Sequence, residues 1–152
     1  MDFPEPELET RVRVFPDYAD SVIWFCIGPM PYDEARISPG LQAAMEAWEQ
    51  TYYDGIDNQH YAWKSRTEHR RFNAEGLRLG AILADELGEQ FEVEVDAEVG
   101  SSESRTIFRS PGKPTNCGAA TAFQTRAQDL LEFERHVKRV RDAGGSFGFR
   151  FD

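Results

Sequence analysis

The sequence predicts an α+β fold: a single, mostly antiparallel sheet of four to five strands with about three helices, in the order ββ-αα-ββ-α-β. Three observations carry that prediction. Leu41, Ala44, Met45, Trp48 and Tyr52 recur at helical spacing, and a second helical pattern runs from about Phe72 to Leu87. Phe91, Val93, Val95 and Ala97 alternate with Glu92, Glu94, Asp96 and Glu98, which is the period of a strand. The remaining apolar runs are short, so one sheet with helices packed against it is the most economical arrangement.

The elements follow in order. Residues 1–9 read as a flexible tail, and residues 10–152 as a single α+β domain. Arg11 to Phe15 is strand-like, with Val12 and Val14 inward. Pro16 to Asp20 is a turn, and Ser21 to Ile27 is a continuous apolar run that reads as a strand buried on both faces. A proline-containing loop from Gly28 to Ile37 leads to Ser38, a helix cap, with Pro39 in the first turn. The second helix begins near Ser65 or Thr67 and stops at Gly88. Gly100 to Ser104 reads as a hairpin loop into a strand from Arg105 to Arg109. A third helix is marked by Phe123, Ala127, Leu130, Leu131, Phe133, Val137 and Val140. Phe147, Phe149 and Phe151 then form a terminal strand.

With 152 residues, 40% of them apolar, the chain can bury a core without staples. No apolar run reaches the roughly 18 residues of a membrane helix. The acidic, proline-containing N-terminus is unlike a secretory signal. Cys26 and Cys117 do not form a disulfide framework. These features point to the cytoplasm. The net charge is −10 and unevenly spread: −9 over residues 1–62, +3 over 63–80, −8 over 81–104 and +4 over 105–152. That balance disfavours nucleic acid and anionic membrane and suits a basic protein partner.

Several groups invite a chemical reading, each beside a plainer one. Gly76, Gly80 and Ala84 form a small-residue stripe that reads as close packing. Asp54, Asp57 and His60 are metal-ligand types, but their Gly- and Asn-containing connector reads as turn chemistry, so no metal is expected. Cys117, near a helix start, is a candidate nucleophile if His60 or His69 reaches it; the plainer reading is an incidental thiol. Ser110 to Gly118 departs from the phosphate-loop pattern at Ile107 and Pro114. Lys64, Arg66, His69, Arg70 and Arg71, interleaved with Tyr61, Trp63 and Phe72, are of the type that stacks and pairs with RNA, but the flanking acids favour internal neutralisation. Glu92, Glu94, Asp96 and Glu98 share one strand face, either a solvent face or an acidic contact surface.

The chain resembles a family of small actinobacterial proteins of no established activity. The resemblance rests on Pro16-Asp17-Tyr18, on Ser38 and Leu41 with Trp48 and Tyr52, on Glu75-Gly76 with Leu79-Gly80, and on Glu86-Leu87-Gly88 with Phe91 and Val93. It covers the first two thirds of the chain and implies an immunity-type or accessory role, without assigning site residues. The sequence therefore reads as a binding protein with no required cofactor and a basic protein partner, its surface the Glu92/Glu94/Asp96/Glu98 face. The alternative is a small enzyme or ligand-binding protein using Cys117 with a histidine.

Overall fold

Valines at alternate positions decide where the sheet sits. The computed structural model describes residues 4–99 and 102–144. In β1 (Arg11–Val14) both valines are fully buried. In β3 (Glu92–Val99) Val93 and Val95 are buried in the same layer. β2 (Ile23–Trp24) and β4 (Ser102–Phe108) complete a four-stranded sheet in the order β2-β1-β3-β4. The sheet is mixed, which corrects the mostly antiparallel expectation. β1 pairs with β2 and β3 with β4 antiparallel, but β1 and β3 run parallel. The reason is the connection: three helices intervene between β2 and β3, and so long a crossover lets the chain return in the direction of β1.

Two local expectations also change. The apolar run Ser21 to Ile27 yields only the two residues of β2, because Cys26 takes a left-handed conformation (φ 64°) and Phe25 N–H closes a tight turn onto Gly28 O at 3.0 Å. The segment expected as loop before Ser38 contains a one-turn helix, α1 (Tyr32–Ala35), which makes four helices among the described residues where about three were expected. The terminal strand expected at Phe147, Phe149 and Phe151 lies outside the described residues. Residues 4–10 have no regular secondary structure, and Glu5 pairs with Lys138 at 3.3 Å.

The long helices obey their local signals. α2 (Pro39–Gly55) is capped by Ser38, whose Oγ accepts from Leu41 N–H at 3.3 Å. α3 (Arg66–Leu87) is capped by Ser65 in the same way, and its C-terminal turn passes into Gly88 at φ 81°, where a side chain would be strained. α4 (Cys117–Asp142) is capped by Asn116. The small-residue stripe on α3 is a packing device. A Cβ at Gly76 would stand 2.7 Å from Trp48, and one at Gly80 would collide with Val95. α3 therefore lies almost against β3, with α2 and α4 flanking it. Phe25, Phe91 and Phe123 meet edge-on or tilted between α4 and the strands.

Candidate functional site

α3 packs on the valine face of the sheet, with α2 and α4 against α3, and among the described residues no helix covers the opposite face. That face presents Arg11, Arg13, Glu92, Glu94, Asp96, Arg105 and Ile107, the last 49% exposed. The register sets Arg11 beside Glu92, Arg13 beside Glu94, and Asp96 beside Arg105. Cross-strand partners on one face are close enough to pair. Arg11 Nη2 lies 2.6 Å from Glu92 Oε2 and its Nη1 lies 3.0 Å from Glu94 Oε1. Arg13 Nε reaches Glu94 Oε2 at 3.2 Å, Arg109 Nη2 reaches Glu92 Oε1 at 3.2 Å, and Arg105 Nε stands 3.6 Å from Asp96 Oδ1. Hydrogen bonds donated by Arg11 to Glu92, above all, raise the guanidinium above its ordinary range. The face is thus a lattice of opposite charges. Glu94 is buried beneath its two arginines, while Glu92 and Asp96 remain open to water. The side chain of Glu98 lies outside the described residues.

The structure does not bring Cys117 and the histidines together. Cys117 is the exposed first residue of α4, set against the C-terminal end of α3, where Thr115 N–H and Asn116 N–H donate to Asp85 O and Glu86 O. His69 sits in the first turns of α3, stacked on Trp63 at 4.9 Å, so the length of that 22-residue helix, roughly 30 Å, separates it from Cys117. His60 lies in the turn just before α3, its Nδ1 3.0 Å from Asp57 Oδ2. Cys117 opens instead on a shallow cleft of about 630 Å³ lined by Asp33, Arg36, Thr121, Thr125, Arg126 and Asp129.

The other groups serve local structure. Asp57 takes the Gln59 N–H and the His60 ring, and the His60 bond holds its carboxyl below the ordinary range; Asp54 accepts from Gln50 instead. Among the described residues no three His, Cys, Asp or Glu side chains are placed to hold a metal ion. The amides of Thr115 and Asn116, which a phosphate would need, are spent on α3 carbonyls. Phe72 stacks on Trp48 at 4.6 Å inside the molecule, and Lys64 Nζ donates to Asp54 O. No helix is long and apolar enough to cross a membrane among the described residues.

Glu86, close in sequence to the acidic strand, is instead buried, 6% exposed at the meeting point of three helices. Ser38 N–H donates to its Oε1 at 2.8 Å and Ser38 Oγ to its Oε2 at 2.6 Å. Asn116 Nδ2 donates to Oε1 at 2.9 Å. Two N-cap residues therefore close on one carboxylate, at the positive ends of α2 and α4, where an anion is favoured. The signal available in the sequence was an acidic residue just before the Gly88 stop, in a helical stripe otherwise apolar.

A family model described as Serratia CdiI immunity protein-like matches residues 10–98. The match starts just before β1 and ends within β3, so it spans more than half of the chain and leaves β4 and α4 outside. No curated protein matches the chain. The chain belongs to the Serratia CdiI immunity protein-like family.

Proposed function

We propose that this member of an immunity-protein family acts in the cytoplasm by binding and not by catalysis, neutralising a basic toxin protein. The observation that carries the reading is the family match across the sheet and the α2–α3 pair. The architecture supports it. The uncovered sheet face, with Glu92, Glu94 and Asp96, is a broad surface of fixed charges around the exposed Ile107. Its arginine lacing orders those carboxylates in advance, so little side-chain freedom is lost when a partner settles on them.

The test is retention from source-cell extract on the immobilised chain at low and then high salt, followed by titration of the retained protein's toxicity. The expected result is a basic protein released as salt rises, whose toxicity vanishes at about one equivalent of the chain. Retention of no basic partner at low salt would overturn the reading, and so would neutralisation by a small fraction of an equivalent, which signals turnover.

A further inference from the structure

Where the C-terminal half of α2 meets the loop between β1 and β2, tyrosines and carboxylates share one exposed corner. The Tyr18 ring stacks on Tyr53 with centroids 4.7 Å apart, and Tyr18 N–H donates to the Tyr53 hydroxyl at 2.8 Å. That hydroxyl donates in turn to Glu49 Oε2 at 3.1 Å. Tyr18 is 71% exposed, although its ring is among the largest apolar units at the surface. Its backbone is left-handed, at φ 53°, a conformation that a bulky residue adopts only when its surroundings impose it. Behind it the rings continue inward without a break. Tyr53 meets Tyr52 at 5.5 Å, Tyr52 meets Phe72 at 5.5 Å, and Phe72 lies on the buried Trp48. An exposed aromatic is thus braced by the core.

The charge around this corner differs from that of the sheet face. Asp17 and Asp20 flank Tyr18 in the loop, and Glu49 and Glu46 project from α2 one and two turns before Tyr53. Burial raises the Tyr52 and Tyr53 hydroxyls above their ordinary range, and the nearby Asp17 and Glu49 charges add to the rise. Among the described residues no cation stands within ion-pair distance of Asp17, Asp20, Glu46 or Glu49. On the sheet, each described carboxylate already has an arginine beside it. At the corner an incoming lysine or arginine meets an uncompensated carboxylate beside a rigid ring. Buried tyrosines ringed by complementary charge are where interface energy concentrates.

We propose that this corner is the anchor of the interface: Tyr18, braced by Tyr53, enters a pocket of a basic protein whose lysines and arginines pair with Asp17, Asp20, Glu46 and Glu49, and the sheet face is its flank. The inference rests on the immunity-type reading above and adds the place and chemistry of the contact.

The test puts the photo-crosslinking residue benzoyl-phenylalanine in place of Tyr18 or, for comparison, of Ile107, in the full chain expressed in its source cells. The Tyr18 site, which keeps an aromatic ring, is expected to give a covalent adduct with a basic protein. Glu46→Lys combined with Glu49→Lys should lower that yield by about tenfold or more, and the Glu→Gln pair by less, with native circular dichroism in both. An adduct from the Ile107 site alone overturns the anchor and leaves the immunity reading standing. So does an adduct from Tyr18 that is indifferent to charge reversal or formed with an acidic protein. No adduct from either site overturns both.

Discussion

Glu86 and Glu94 are nearly equally withdrawn from water, at 6% and 7% exposure, yet they are held in opposite ways. Around Glu86 the donors are neutral: a backbone amide, a hydroxyl and a side-chain amide, all three from the helix-cap residues Ser38 and Asn116. Around Glu94 they are two guanidiniums, from Arg11 and Arg13, whose own side chains are 38% and 48% exposed. The first carboxylate is enclosed by the fold and fixes how α2, α3 and α4 meet. The second is enclosed only by partly exposed charged side chains, which water and a partner can reach. Burial alone therefore does not separate a structural carboxylate from one at a recognition surface; the nature of its donors does.

The sharpest way to break this comparison is Glu86→Ala. It strands the Ser38 and Asn116 donors together and should destabilise the chain by about 3 kcal/mol in urea unfolding. Glu86→Gln, which keeps an acceptor, should cost roughly half of that. Next comes the inner side of β3: Gly80→Ala drives a methyl into Val95 and toward Phe108, 3.2 Å away, for about 2 kcal/mol. On the outer side, Glu94→Ala leaves Arg11 with Glu92 and frees Arg13, and about 1 kcal/mol is expected. Asp96→Ala removes an exposed pair at 3.6 Å and should fall within about 0.5 kcal/mol of the parent. If Glu94→Ala cost as much as Glu86→Ala, the distinction between the two sites would fail.

The smallest effect concerns the thiols. Burial, opposed by the Arg126 charge, pushes Cys26 up to about 11, while Cys117 is exposed. Alkylation near pH 8 should consume Cys117 first, with Cys26 following only in strong alkali. An unfolded thiol releases its proton near about 8.5, and the folded one holds it longer, so unfolding gains as pH rises through that interval. Cys26→Ala should flatten the alkaline side of the stability profile.

What the sequence made legible was local. Ser38, Ser65 and Gly88 act as caps and stops because each satisfies backbone groups within a few residues of itself. The Gly76/Gly80 stripe was readable because a costly residue inside a helix needs a close neighbour. The parallel pairing of β1 with β3 was not, since it depends on how three helices route the chain. One trace of it was there. Arg11-Val12-Arg13-Val14 and Glu92-Val93-Glu94-Val95 share a parity with opposite charge, as two strands lying side by side would. The one-turn α1 lacked length for any periodic signal. The Tyr18 corner eluded sequence reasoning because its residues come from a turn and from a helix 35 positions away.

The closure at Glu86 also sets an order in time. A chain made from its N-terminus has Ser38 and Glu86 in hand well before Asn116, which follows the carboxylate by 30 residues. Until Thr115 and Asn116 have been made, Glu86 Oε1 lacks its second donor and the Asp85 and Glu86 carbonyls have only water for company. The nascent helices therefore stay loosely joined, and they lock when the loop into α4 arrives. An intermediate lacking that loop should be the form that chaperones and proteases meet.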